Sequence, residues 1–171
     1  MDAVIERAYQ KLGNNLDEMI TLYRQLLDIV RKEKELLLAA QLDDLTENNT
    51  LKDQVLMKIR LADTLRFKHA QELALVIKAE YENPRLLDIA QKMPAAEGDR
   101  LRSQHATLDL LIKRLMEFNR ENEEYAQSAL KTLNGTMNDI KETLTGKKTY
   151  EKKGQYKAGP EQAGNFVRKE V

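Results

Sequence analysis

The 171-residue sequence has no cysteine, no tryptophan and only three prolines, and aromatic residues make up 5% of it. Without cysteine there is no disulfide framework, no thiolate metal site and no cysteine nucleophile. So few aromatics argue against a globular aromatic core, and a charged fraction of 33% suits long helices with solvated faces. Long apolar runs are missing too. None exceeds five residues, as in Leu36 to Ala40, which is far too short to cross a bilayer. The opening "MDAVIERAYQKLG" is charged and amphipathic where a signal peptide would be uninterruptedly apolar. These absences lead to the expectation of a cytoplasmic, soluble chain with no membrane insertion.

Net charge is absent as well, since 28 basic residues balance 28 acidic ones. The balance hides an asymmetry: residues 146–171 hold seven Lys or Arg against three acids, and residues 1–145 hold 21 against 25. The basic end carries glycines at 154, 159 and 164 and too little apolar content to fold by itself. It is expected to be a flexible C-terminal tail, residues 146–171, behind a helical bundle domain, residues 1–145. The body shows no basic stripe and no aromatic stacking platform, so no nucleic-acid partner is expected.

Catalytic signatures are equally scarce. His69 and His105 fall on different predicted helices, and neither has a Glu three residues earlier, as a di-iron bundle would require. They read as ordinary polar or half-buried side chains. No glycine-rich phosphate loop exists and no nucleophile and base can be paired. The sequence predicts no enzymatic activity, no metal and no other cofactor.

What the chain does have is helical periodicity. From Ile5 the positions Tyr9, Leu12, Leu16, Met19, Tyr23, Leu26 and Val30 follow in alternating steps of four and three, pass the polar Glu33 and resume at Leu37. This is a coiled-coil seam on one helix of about 35 residues, roughly 50 Å long. "LDDLTEN" makes the turn, with Asp43 as N-cap. A second helix carries Val55, Ile59, Ala62, Leu65, Leu73 and Val76, its seam interrupted by Arg66 and His69. "ENPRLLDIAQKMP" reads as a short connector helix capped by Asn83, opened by Pro84 and closed by Pro94. Asp99 opens a last long helix, which Gly146 stops. The predicted fold is all-α: an elongated antiparallel bundle or coiled coil of three long helices with a short connector helix.

The last helix poses the main question. Its predicted stripe, Leu101, His105, Leu108, Ile112 and Leu115, continues onto Asn119 and Asn122. A polar residue at a seam position can fix register and helix number at a cost in stability. The alternative is that the bundle is not tightly closed there. Beyond the asparagines, Leu130, Leu133, Met137, Ile140 and Leu144 form an apolar stripe, which is either ordinary core against the first helix or an uncovered binding surface. Gly135 among them marks a candidate hinge.

The chain resembles the FlgN-type flagellar export chaperones. The residues that carry the resemblance are Glu33 with Leu37, then Leu45 and Lys52 across the first turn, the pair Asn119 and Asn122, and Tyr150 followed by Gly154 just after the last helix. It covers the whole length. One departure is "YEKKG", where the family tends to have an acidic or neutral segment. The resemblance implies a cytosolic type III export chaperone that holds the two hook-associated junction proteins through their C-terminal helices and delivers them to the export gate and its ATPase components. The client would lie on Leu130, Leu133, Met137, Ile140 and Leu144, with Tyr150 and Tyr156 as tail anchors. Two rival readings stand beside it. One is a structural or adaptor coiled coil that self-associates, with a homodimer left open, and the other is an anionic-ligand binder acting through Lys147, Lys148, Lys152 and Lys153.

Overall fold

The computed structural model describes residues 2–145, and all secondary structure among them is helical. Four helices follow in order: α1, Ala3–Leu38; α2, Leu42–Val76; α3, Leu86–Lys92; and α4, Ala95–Leu144. Three are long and one is a short connector, as the periodicity predicts. The chain divides into two compact units, Met1–Glu123 and Glu124–Val171.

In the first unit, α1 begins on an N-cap, the Asp2 carboxylate accepting from the Val4 amide at 3.2 Å. It ends in a Schellman arrangement: the Gln41 amide donates to Leu36 O, the Ala40 amide donates to Leu37 O, and Ala40 sits in the left-handed region at φ 53°. The end of α2 repeats the device with Lys78 at φ 55° and the Ala79 amide donating to Ala74 O. Neither left-handed position is a glycine, which is why both turns escape a search for Gly punctuation.

Helix starts differ from the expectation by a few residues. α2 opens at Leu42 behind Gln41, so Asp43 lies in the first turn, where it opposes the helix dipole's positive end rather than capping. The connector α3 opens behind Arg85, with Asn83 and Pro84 still outside it. α4 opens at Ala95, directly after Pro94, rather than at Asp99, and ends at Leu144; Gly146 lies outside the described residues.

Cross-helix contacts give the directions. Lys11 pairs with Glu72 and Asn48 bonds Ile29 O, so α1 and α2 run antiparallel. Gln104 reaches Gly13 O and Asn122 reaches Val30 O, so α1 and this part of α4 run parallel. The unit is thus an up-down-up arrangement, with α3 turning the chain between α2 and α4. Its core contains the expected α1 row of Tyr9, Leu12, Leu16, Met19, Leu26 and Val30, all buried, and adds Ala8, Ile20, Leu22 and Leu27. The buried stripe is wider than a two-helix seam because α1 is covered from two sides. From α2 come Val55, Ile59, Ala62 and Leu73, but Leu65 is 46% exposed and the small Ala70 and Ala74 complete the row. Close approach recurs at Gly98, where an added Cβ would stand 2.4 Å from Ala90 O.

Candidate functional site

Four of the residues that carry the sequence resemblance, Glu33, Lys52, Asn119 and Asn122, come together when the chain folds, while Tyr150 and Gly154 lie outside the described residues. Glu33 of α1 and Lys52 of α2 form an ion pair at 2.8 Å, with side chains 14% and 22% exposed. The Lys52 ammonium also donates to Asn119 Oδ1 at 3.2 Å. Asn122 Nδ2 donates to Glu33 Oε2 and to Val30 O, each at 3.0 Å. One polar cluster therefore ties three helices together where apolar side chains would otherwise slide past each other. A charge pair this sheltered needs its remaining lone pairs and protons satisfied, and the two asparagines supply those partners.

The buried row of α4 differs from the predicted one. It runs Leu101, Gln104, Leu108, Leu111, Leu115 and then Asn122, with Phe118 half-buried beside it. Asn122 is thus buried, whereas Asn119 is exposed and joins the cluster from outside. His105 and Ile112 are also displaced to the exposed side. The physical reason is an amide that the apolar pattern cannot show: Gln104 Nε2 donates to Gly13 O at 3.0 Å and to Asp17 Oδ1 at 2.6 Å. Asn15 and Asn48 do the same elsewhere, donating to Ala62 O and Ile29 O. Four interior amides thus each reach a neighbouring helix's carbonyl, a set of register marks of which only Asn122 was legible as a seam position.

Around the cluster the electrostatics are those of a solvated rim. Lys34 donates to Glu121 at 2.6 Å, and this hydrogen bond, with the Lys34 charge, holds the Glu121 carboxyl below its ordinary range. Arg31 and Lys34 flank the Phe118 ring at 5.5 and 5.9 Å from its centroid. Nearer the other end, a cleft of about 570 Å³ opens between α1, α2, the connector and α4, with Met19, Tyr23, Leu87, Leu108 and Ile112 in its wall. Burial pushes the Tyr23 phenol up, helped by Asp63 and opposed by Arg66. Among the described residues no group of three or more His, Asp or Glu side chains could hold a metal ion, and no helix is long and apolar enough to cross a membrane.

The second unit, considered by itself, carries the predicted apolar stripe. Within its described helical part, Leu130, Leu133, Met137, Ile140 and Leu144 are 60%, 60%, 63%, 49% and 65% exposed. Steps of three and four put them on one stripe, and Gly135 has nothing within 4 Å of where a Cβ would stand. Positions flanking the stripe are mostly small or neutral, Gln127, Ala129, Asn134, Thr136 and Thr143, with Lys141 the one charged residue among them. Tyr150 and Tyr156 lie outside the described residues. A narrow apolar stripe at helical spacing with few flanking charges can recognise another amphipathic helix.

In comparison with known proteins, the family model described as FlgN protein matches residues 1–158. No curated protein and no solved structure matches the chain.

Proposed function

This chain belongs to the FlgN family, a family of flagellar export chaperones, and from that premise we propose that it acts in the cytoplasm by masking an amphipathic helix of a client and delivering that client to the type III export gate. The clients are the hook-associated junction proteins, held by their C-terminal helices. The observation that carries the reading is the row of large apolar side chains on the second unit, each about half exposed or more. Leaving such a row in water costs about 25 cal/mol per Å² of apolar surface, and a partner helix laid along it recovers that free energy without any charge pair. The Glu33, Lys52, Asn119 and Asn122 cluster sits in the first unit and gives this reading its second part, a bundle whose register is set independently of the client. Tyr150 and Tyr156 are the proposed tail contacts. No nucleotide, metal or catalysis is needed for this mode of action.

The test is isothermal titration of the full chain with the C-terminal helical segment of a junction protein, beside the double variant Leu133→Asp with Ile140→Asp. Both positions are exposed, so circular dichroism and melting temperature should stay at the wild-type values while binding is lost. Full affinity in the folded variant would place the client elsewhere. A self-associating coiled coil would use the same stripe to pair with a second copy, and a monomer independent of concentration in light scattering would exclude it.

A further inference from the structure

Helix α2 carries apolar side chains on two faces. Val55, Ile59, Ala62 and Leu73 are buried, whereas Met57, Leu61 and Leu65 are 66%, 65% and 46% exposed. At about 100° per residue the exposed three follow one another along the side of the helix turned away from Ile59. Lys58 and Arg60 stand on either side of the Met57 and Leu61 pair, and Lys68 lies about two turns beyond Leu61 on the same line. All three cations are exposed, and among the described residues none of them makes an ion pair. By contrast, Lys52 is turned to Glu33, and Arg66 pairs with Asp63. Residues 52–69 hold five basic residues against two aspartates, inside a body of residues 1–145 that is net acidic.

We propose that this outer face of α2 is a second docking surface, which takes an acidic amphipathic helix of a partner protein. Its chemistry differs from that of the Leu130 to Leu144 stripe. There the flanks carry a single cation, Lys141, and recognition is mainly apolar; here Lys58, Arg60 and Lys68 border a short apolar line at the positions where a paired helix would place its own flanking charges. Two surfaces with different recognition chemistry let one chain hold two ligands that do not compete. An anionic membrane surface would also meet lysines and leucines, but an interfacial helix needs a continuous apolar face, and here Asp53, Gln54 and Thr64 interrupt it.

The experiment uses the full chain, labelled with ¹⁵N and titrated with two designed helical peptides that share one leucine seam, one flanked by Glu and the other by Lys. Vesicles of phosphatidylglycerol form a third arm. The acidic peptide should shift amides between residues 54 and 68 and bind about tenfold more tightly than the basic one, with the preference fading as salt rises. The double variant Lys58→Glu with Arg60→Glu should reverse the preference and leave junction-protein binding unchanged, which separates this site from the client site. Equal binding of both peptides, or a preference that survives the charge reversal, would overturn the proposal. So would vesicle binding that shifts the same amides when the acidic peptide does not, or concentration-dependent shifts without peptide, which would make the occupant a second copy.

Discussion

Replacing Asn122 by leucine probes the polar cluster where it is most sheltered. Asn122 is 4% exposed; its Nδ2 bonds Val30 O and Glu33 Oε2, and its Oδ1 has no partner among the described residues. Losing the bond to the Glu33 carboxylate costs about 1.5–3 kcal/mol, although Glu33 keeps Lys52 at 2.8 Å, and losing the one to Val30 O costs about 0.5–1.5 kcal/mol. Removing a buried acceptor that has no partner among the described residues returns about 1–3 kcal/mol and offsets most of the first loss. Burying a leucine in place of the amide returns about 1.5–3 kcal/mol, and the strain of fitting a larger side chain takes back about 1–3 kcal/mol of it. The net expectation for Asn122→Leu is a change within about 1 kcal/mol. Asn119→Leu should stay within about 0.5 kcal/mol, because Asn119 is exposed and its one partner, Lys52, keeps Glu33. Urea midpoints at a common m-value measure both, with light scattering alongside because an interior Asn can also set helix number. A change of about 2 kcal/mol or more for Asn122→Leu, in either direction, would refute this account of the cluster.

Three further expectations concern the first unit. Gly98→Ala should destabilise by about 1–3 kcal/mol, since its Cβ would be driven against the Ala90 carbonyl at 2.4 Å; an unchanged melting temperature would contradict that close crossing. Ala40→Gly should stabilise by about 0.5–1 kcal/mol, read from the denaturant midpoint, because the left-handed φ of 53° costs alanine and not glycine. The Lys34 and Glu121 pair should matter only while Glu121 is ionised. Its folded pKa is depressed, so its contribution is present above the unfolded carboxylate pKa and is lost as pH falls through the folded value. Wild type and Glu121→Gln should therefore differ near neutrality at low salt and converge in acid, as followed by denaturant midpoints across pH.

The long-range pattern of this fold was legible because helices of 35 residues or more repeat their apolar signal many times. α1 shows this best: Leu12, Leu16 and Val30, read as seam, are each 0% exposed. Single positions were less legible. Gln104 looked like surface and is 6% exposed, because its amide finds a carbonyl 91 residues earlier, a contact no local pattern encodes. That amide moves the buried row onto Leu111 and Phe118 and leaves His105, Ile112 and Asn119 outside. On α2 the apolar residues are spread around the helix, so periodicity could not tell Leu65 from the core, nor reveal that Lys58, Arg60 and Lys68 share an exposed face in a body that otherwise shows no basic stripe. The motif residues Glu33, Lys52 and Asn122 were visible in the sequence, but their convergence needed the fold.

If the apolar stripe of residues 124–144 seats the client, amide hydrogen exchange with and without a junction-protein C-terminal helix will reveal it. A helix whose apolar side chains lack cover opens locally at little cost, so in the free chain these amides should exchange far faster than those around Leu16, Leu73 and Leu101, which are 0% exposed. Bound client should slow exchange across Leu130 to Leu144 and leave the first unit's core unchanged. Protection appearing in the cleft beside Tyr23 and Leu87, with none between 124 and 144, would place the client in that cleft instead.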